Sequence, residues 1–174
     1  MPIKTIFLDR DGVINKEVQY LHKIENFEFI DGIFDACLHF QKLGYKIIIV
    51  SNQSGIARGY YTEIDYQVLT KWMLCEFKNQ GITILDALHC PHDPDSRCNC
   101  RKPMPGMLLK SKNNFNINMD LSWMIGDKEI DIIAANAAGI KKSILVRSGH
   151  RIDEPKSNAM FVLDSIKEST KIIT

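Results

Sequence analysis

Two carboxylates follow an apolar run near the start of the chain, in a position that suits catalysis. The run Ile3–Leu8 has the composition of a short buried strand; Asp9 and Asp11 come directly after it, and Gly12 loosens the turn. Burial penalises a charged carboxylate unless a cation or hydrogen-bond donors offset the cost. Ligands of α/β proteins bind at the carboxyl ends of parallel strands. The pair therefore predicts a ligand site, although the same pattern taken alone is also common in polar turns.

Three further polar residues follow other predicted strands. Ser51 comes after one strand, Lys102 after the loop beyond another, and Asp127 at the end of a third. In a parallel sheet they would lie at the same edge as Asp9 and Asp11. Mg²⁺ is usually held by one or two carboxylates together with phosphate oxygens of the substrate. A hydroxyl and an ammonium group suit the remaining phosphate oxygens, so the set predicts a magnesium-dependent phosphoryl-transfer site.

The two neighbouring carboxylates can divide the chemistry between them. One is free to attack phosphorus and form an aspartyl-phosphate. The other is placed to protonate the leaving alkoxide and later to activate water. A bound cation would neutralise charge and let two anions approach each other. Each residue also has an ordinary alternative: Ser51 could be a turn cap, Lys102 a solvated surface group, and Asp131 a helix N-cap.

A second metal site is indicated by Cys90-x-His92 and Cys98-x-Cys100, which offer three sulfurs and one nitrogen within eleven residues. Tetrahedral Cys₃His is a known structural zinc set. The alternative is three free cysteines on a flexible loop, where exposed thiols would be reactive. With four protein ligands the site would be closed, so its zinc would hold the following two residues in place rather than take part in catalysis.

The elements that must position these residues alternate between strand and helix. Strands are predicted at residues 3–8, 45–50, 82–89, 122–125, 143–146 and 160–163. Helices are predicted at residues 31–43, 62–80, 106–115 and 131–138, with one more after residue 164. Such alternation is typical of a three-layer, Rossmann-like α/β fold with a parallel sheet and helices on both faces.

Helix details follow from residue types. Asp31 is predicted to cap the first helix, and Thr62 to begin the second. The core-facing residues of that second helix are predicted to be Ile64, Val68, Trp72, Met73 and Phe77. Cys37 and Cys75 fall on or near apolar helix faces and are expected in the core.

Length and charge restrict the class of protein. The 174 residues suit one domain spanning 1–174, and the gaps of 40 positions from Asp11 to Ser51 and 51 from Ser51 to Lys102 leave no room for an inserted cap domain. Lys+Arg number 22 against 21 Asp+Glu, which argues against a nucleic-acid partner. The sequence has neither a membrane-length apolar stretch nor a secretory signal pattern. We expect a cytosolic monomer that acts on a small molecule.

Four motifs together resemble the haloacid dehalogenase (HAD) superfamily of phosphotransferases. They are Asp9-x-Asp11-Gly12, Ser51-Asn52, Lys102-Pro103 and Gly126-Asp127-Lys128-x-x-Asp131. Longer stretches are similar to the heptose-bisphosphate 7-phosphatase group of that superfamily, which includes the related histidinol-phosphatase. Those stretches are residues 9–15, 26–32, 51–59 and 101–107.

The resemblance implies roles for individual residues. Asp9 would be the nucleophile and Asp11 the general acid/base, with Mg²⁺ held by Asp9, the Asp11 backbone carbonyl and Asp127. Ser51 and Lys102 would stabilise the transferring phosphoryl group. The remaining expected substrate contacts are Tyr20, Asn52, Gln53, Ser54, Arg101 and Lys128, the last two for a second phosphate.

The implied reaction is hydrolysis of the C7 phosphate of D-glycero-D-manno-heptose 1,7-bisphosphate, in nucleotide-activated heptose biosynthesis. Members of the group often have Asp-His-Gly-Tyr where this chain has Glu17-Val18-Gln19-Tyr20, and that difference leaves the preferred anomer open. Histidinol-phosphate phosphatase is the nearest enzymatic alternative. A non-catalytic phosphate-binding module is the alternative of another class, and the presence of both Asp9 and Asp11 disfavours it.

Overall fold

The computed structural model describes all 174 residues and contains one six-stranded, wholly parallel sheet. Its strand order is β3-β2-β1-β4-β5-β6. The strands are β1 Thr5–Leu8, β2 Lys46–Asn52, β3 Ile84–Cys90, β4 Trp123–Gly126, β5 Lys142–Val146 and β6 Phe161–Leu163. The predicted parallel architecture is confirmed, as is the absence of a separate cap domain.

Four α-helices cover the two faces of the sheet. They are α1 Ile33–Lys42, α2 Glu63–Asn79, α3 Gly106–Phe115 and α4 Glu129–Ala137. Successive residues of β1 point to opposite faces: Ile6 and Leu8 pack in the core beneath α1 and α2, and Phe7 packs in the core beneath α3 and α4. The strands are therefore apolar on both faces, as expected for a buried parallel sheet. No helix is both long enough and apolar enough to cross a membrane.

The connections run outward in both directions from β1, which pairs with β2 on one side and with β4 on the other. The chain first builds β1, β2 and β3 toward one edge, then returns to build β4, β5 and β6 toward the other. Ligands of such sheets bind in the crevice where the strand order reverses, at the carboxyl ends of the strands. Here that crevice lies between the ends of β1 and β4, next to Asp9 and Asp127.

Several local predictions are wrong. The N-cap of α1 is Gly32, with φ of 81°, whereas Asp31 lies on the surface and pairs with Lys167. Ser51 and Asn52 belong to β2 rather than to the loop after it. The C-terminal helix is a short 3₁₀ segment, Ile166–Lys171.

The prediction of which α2 residues face the core is also partly wrong. Its buried residues are Tyr66, Leu69, Met73 and Phe77. Ile64 and Val68 are exposed instead, at 71% and 56% of their surface. Cys37 is in the core as predicted, but Cys75 on α2 is exposed.

Candidate active site

Three carboxylates meet at the carboxyl ends of β1 and β4. Asp9 follows β1, Asp127 follows β4, and Asp131 lies in the first turn of α4. One oxygen from each lies within 4.8 Å of the others. All three residues are at least 92% buried, so their charges are poorly screened by water. We call these three residues the acid cluster.

Lys102 supplies the positive charge within this cluster. Its Nζ donates to Asp9 Oδ1 at 2.9 Å and to the Val50 carbonyl at 2.7 Å, and it pairs with Asp131 Oδ1 at 2.6 Å. Burial alone would lower the pKa of Lys102, but the adjacent Asp131 and Asp9 carboxylates raise it above its usual value. Burial would raise the pKa of Asp9, but the Lys102 charge, together with hydrogen bonds involving Asp127, Lys102 and the Arg10 backbone, lowers it below its usual value. Lys102 is therefore a permanent cation beside Asp9.

One ammonium group does not balance three buried carboxylates. Burial, with the charges of Asp9 and Asp131, raises the pKa of Asp127 to about 9. Burial also raises the pKa of Asp131, to about 6, although Lys102 opposes the shift. The buried Oδ1 of Asp127 has no hydrogen-bond partner in the protein. A hard divalent cation would supply the missing positive charge and would also give Asp127 Oδ1 a partner, since Mg²⁺ prefers carboxylate oxygens.

Glycines line the acid cluster because larger residues would collide with it. A Cβ atom on Gly12 would lie 2.4 Å from Asp127 Oδ2, and one on Gly149 would lie 2.2 Å from the same oxygen. A Cβ atom on Gly126 would lie 2.3 Å from the Asp131 Cβ. The backbone therefore approaches these carboxylates more closely than any side chain would allow.

Asp11 lies beside the acid cluster and is held on both oxygens. Oδ1 accepts hydrogen bonds from Arg10 Nε at 3.2 Å, from the same guanidinium's Nη2 at 2.8 Å and from Asn15 Nδ2 at 3.0 Å. Oδ2 accepts one hydrogen bond, from Gln53 Nε2 at 3.1 Å. These bonds set the orientation of the carboxyl group before any substrate binds.

Ser51, Asn52 and Gln53 lie at the end of β2 and just beyond it, and their side chains hydrogen-bond within the candidate site. The Ser51 side chain is fully buried, and its Oγ accepts from Gln53 Nε2 at 2.6 Å. The Asn52 side chain makes two hydrogen bonds with the backbone of Lys102, at 2.9 and 3.0 Å. Asn52 and Gln53, expected as substrate contacts, thus already bond to Lys102, Ser51 and Asp11.

A polar pocket of about 300 Å³ opens above these groups. All of the expected substrate-contact residues line it. They are Tyr20, Asn52, Gln53, Ser54, Arg101 and Lys128, and with them the catalytic candidates Asp9, Asp11 and Lys102. Arg58 lines the pocket as well, and Arg101 has a buried Nη1 without a hydrogen-bond partner. The pocket thus combines a buried anionic floor with a cationic rim.

No catalytic role was predicted for Arg10, Asp131 and His150, although each contacts a catalytic candidate. Arg10 is 98% buried and its guanidinium donates hydrogen bonds to Asp11. Asp131, predicted only as a possible helix cap, also pairs with Lys102. His150 Nδ1 lies 2.6 Å from Asp127 Oδ2, and its Nε2 lies 3.5 Å from Glu17. An arginine between Asp9 and Asp11 was a signal available in the sequence. The contact of His150 was not, since it joins residues far apart in the chain.

The predicted zinc ligands come together at the end of β3, where Cys90 is the last strand residue, and in the loop that follows. Cys90 Sγ lies 3.7 Å from Cys98 Sγ, 3.2 Å from Cys100 Sγ and 3.3 Å from His92 Nδ1. With zinc–sulfur bonds of about 2.3 Å in a tetrahedron, sulfurs are separated by roughly 3.8 Å; the Cys90–Cys98 distance matches this value and the Cys90–Cys100 distance is shorter. The four ligand atoms form one cluster, and the cysteines are not joined by disulfides. The donor set and its spacing fit a closed structural zinc site.

Comparisons with known proteins agree with this geometry. A family model described as HAD-hydrolase-like matches residues 99–169. A D-glycero-α-D-manno-heptose-1,7-bisphosphate 7-phosphatase of Photorhabdus laumondii is 49% identical over 91% of this chain and 90% of its own length. The D-glycero-β-D-manno-heptose-1,7-bisphosphate 7-phosphatase of Escherichia coli K12 is 42% identical over 98% of this chain and 94% of its own.

Comparison with solved structures agrees with the sequence comparison. D,D-heptose 1,7-bisphosphate phosphatase from B. bronchiseptica, complexed with magnesium and phosphate, superposes with a TM-score of 0.86. The alignment covers 98% of both chains at 25% sequence identity.

Proposed function

Because the chain belongs to the D-glycero-D-manno-heptose-1,7-bisphosphate 7-phosphatase family of HAD-like phosphatases, we propose that Asp9 and Asp11 remove the 7-phosphate of this sugar through an aspartyl-phosphate. The protein is a phosphoric monoester hydrolase. The observation that carries the residue assignment is the meeting of Asp9, Asp127 and Lys102 beneath a pocket that also contains Asp11.

The charge of the pocket suits a substrate with two phosphates. The phosphate to be cleaved would lie over Asp9, where Lys102 and a bound cation offset its charge. Arg58, Arg101 and Lys128 lie on the rim of the same pocket and can meet a second phosphate. The unpartnered Nη1 of Arg101 is a donor without an acceptor in the protein, as expected for an anion ligand. Histidinol phosphate has no second phosphate to use these groups.

In the first step Asp9 attacks phosphorus. The bond from the Asp9 carboxylate to phosphorus forms as the bond from phosphorus to O7 of the sugar breaks. Asp11 gives its proton to O7, so the sugar leaves as an alcohol rather than as an alkoxide. Lys102 stays charged beside Asp9 and stabilises the equatorial oxygens of the transition state together with the Ser51 hydroxyl.

In the second step water hydrolyses the aspartyl-phosphate. The Asp11 carboxylate takes a proton from water while the water oxygen attacks phosphorus. The bond between phosphorus and Asp9 breaks, phosphate leaves, and the enzyme returns to its starting protonation state. Since Asp11 ends the first step as a carboxylate, it is ready to act as the base in the second.

Each metal has a separate role. Mg²⁺ would be held by Asp9, Asp127 and the backbone carbonyl of Asp11, where it would neutralise charge on the phosphoryl group and on the Asp9 carboxylate. Zn²⁺ would be held by Cys90 at the end of β3 and by His92, Cys98 and Cys100 in the loop after it, and its role would be structural. Lys102 lies two residues after the zinc ligand Cys100, so the zinc site holds the chain segment that presents it.

We further propose that the α anomer is the preferred substrate. Photorhabdus laumondii has two relatives of this chain, one named for the α anomer and one for the β anomer. This chain is 49% identical to the first and 41% identical to the second. In this chain Glu17, Val18 and Gln19 line the pocket where family members often have Asp-His-Gly. These side chains stand beside Tyr20 at the rim and can contact the sugar.

Phosphate release tests both proposals. The substrates are the α and β anomers of heptose 1,7-bisphosphate and histidinol phosphate, each with Mg²⁺. We expect preference for the bisphosphates, with the α anomer first, and no turnover by Asp9→Asn, which should remain folded. Faster hydrolysis of histidinol phosphate would overturn the substrate assignment, and retained activity in Asp9→Asn would overturn the nucleophile.

Assembly and location complete the proposal. We propose that the enzyme acts as a monomer, because one chain supplies every residue of the acid cluster and of the pocket. We place it in the cytosol, where thiols stay reduced and remain available as zinc ligands. Light scattering would measure the oligomeric state.

A further inference from the structure

The two oxygens of Asp11 are not equivalent. Oδ1 accepts three N–H groups, two of them from the buried Arg10 guanidinium and one from Asn15. Oδ2 accepts only the amide of Gln53. A carboxyl proton needs an oxygen lone pair that is not already engaged, and a positively charged donor repels a proton on the oxygen it contacts. The proton of the acid form therefore belongs on Oδ2, the oxygen held by Gln53.

Gln53 is fixed in turn by a buried tyrosine. Its Nε2 has two N–H bonds and two acceptors, Asp11 Oδ2 and Ser51 Oγ, while its Oε1 accepts the hydroxyl of Tyr61. If the amide were flipped, Oε1 would face the Asp11 carboxylate and two oxygens would repel each other. Burial raises the pKa of Tyr61 to about 12, so its hydroxyl keeps the proton that it donates.

Tyr61 has little freedom to move away from Gln53. The Tyr61 ring is 95% buried and stacks on His22 with ring centres 5.1 Å apart. It also fills the space beside Gly55, where a Cβ atom would lie 2.1 Å from the ring. The tyrosine is thus a rigid support whose hydroxyl hydrogen-bonds to Gln53 and not to Asp11.

We propose that Asp11 transfers its proton through Oδ2 and that Tyr61, acting through Gln53, is a positioning residue for this transfer. In the acid step the Oδ2–H bond breaks as the O7–H bond forms, and in the hydrolysis step Oδ2 takes the proton back from water. The same Gln53 amide occupies the acceptor side of Ser51 Oγ, which leaves the serine hydrogen to point toward the phosphoryl oxygens. The inference rests on the proposed role of Asp11 as general acid.

The test uses leaving groups that differ in their need for an acid. kcat/KM reports the steps up to release of the leaving group. An alkyl phosphate such as the sugar needs a proton on its leaving oxygen, whereas p-nitrophenyl phosphate releases a stable phenolate without one. Both substrates are measured with wild type, Tyr61→Phe and the control Tyr66→Phe. Tyr66 is another buried tyrosine, and its hydroxyl is not bonded to Gln53.

We expect Tyr61→Phe to lower kcat/KM for the sugar phosphate about tenfold, a part of the 10²–10⁴-fold that general acid catalysis supplies. The kcat/KM of Tyr61→Phe for p-nitrophenyl phosphate should change less than about twofold. Tyr66→Phe should leave kcat/KM unchanged with both substrates. An equal fall with both substrates would mean that Tyr61 only supports the pocket, and it would overturn the proposal. No change with either substrate would overturn it too.

Asp11→Asn separates this proposal from the one on which it rests. If Asp11 is the acid, this variant loses much more activity on the alkyl phosphate than on the aryl phosphate. If it loses both equally, the assigned role of Asp11 fails. If Asp11→Asn shows the selective loss and Tyr61→Phe does not, only the positioning role fails.

Discussion

Removing the Lys102 charge should destabilise the protein strongly when no Mg²⁺ is present. Lys102 is 98% buried and contacts Asp9, Asp131 and the Val50 carbonyl at 2.6–2.9 Å. Lys102→Met has a similar chain length but leaves the three buried carboxylates without a cation from the protein. Removing one partner of a buried ion pair costs about 3–5 kcal/mol, which for a chain of this size lowers Tm by roughly 6–20 °C.

The partner variant Asp131→Asn shows whether the cost arises from the charge. Asparagine retains an oxygen that can accept the Lys128 backbone N–H, as Asp131 does, so the cap of α4 is kept. We expect Lys102→Met with Asp131→Asn to recover about 1–3 kcal/mol of the loss caused by Lys102→Met, since coupled residues show interaction energies of that size.

The measurement is urea unfolding of the four proteins in buffer without added Mg²⁺ and without a chelator, followed by far-UV circular dichroism. Mg²⁺ is left out because a bound cation would replace part of the lost charge, and a chelator is avoided because it would also remove the structural zinc. Free energies of unfolding that simply add across the two substitutions would refute the reasoning. So would a loss below about 1 kcal/mol for Lys102→Met, the range of exposed pairs.

Three other substitutions test separate parts of the site. Asn52→Ala removes both hydrogen bonds to the backbone of Lys102, and steady-state kinetics should show a lower kcat with KM nearly unchanged, with a stability loss of about 1–3 kcal/mol. Cys98→Ser should reduce the zinc content from one ion per chain, by atomic absorption, and lower Tm, whereas Cys75→Ser at an exposed thiol should do neither. Gly12→Ala should weaken Mg²⁺ binding about 10–100-fold by calorimetry, because its Cβ would press on the acid cluster. Gly81→Ala is the matched control, with a similar positive φ and open space around it, and should affect only stability, by roughly 1–2 kcal/mol. Unchanged Mg²⁺ affinity in Gly12→Ala would contradict the steric argument.

The sequence was most informative where a local pattern decides the structure. The apolar run before Asp9 and the one before Asp127 each form a strand buried on both faces, and the polar residues after them fall at one sheet edge. The bounds of α3 agree with prediction because Pro105 and Gly106 mark its start and its end follows helical spacing. In these cases the residues that determine the element lie within it.

Prediction failed where distant parts of the chain decide the outcome. Ile64 and Val68 have helical spacing, but α2 turns its Tyr66 and Leu69 side toward the protein and leaves those two residues on the surface. The contact of Asn52 with the Lys102 backbone joins residues 50 positions apart. No local pattern encodes such a contact, so the bonds of Asn52 to Lys102 were not predicted, while its predicted substrate contact stays a prediction.

The strand order also has a consequence for synthesis of the protein on the ribosome. β1 lies in the middle of the sheet but is made first, and its neighbour β4 is made more than a hundred residues later. At about 5–20 residues per second, one edge of β1 waits roughly 6–23 s for its partner. During that interval Asp9 has neither Asp127 nor Asp131 beside it, so the proposed magnesium site cannot form. Catalytic competence therefore arises late, when α4 has emerged, and a chain released earlier would expose an apolar strand edge open to aggregation.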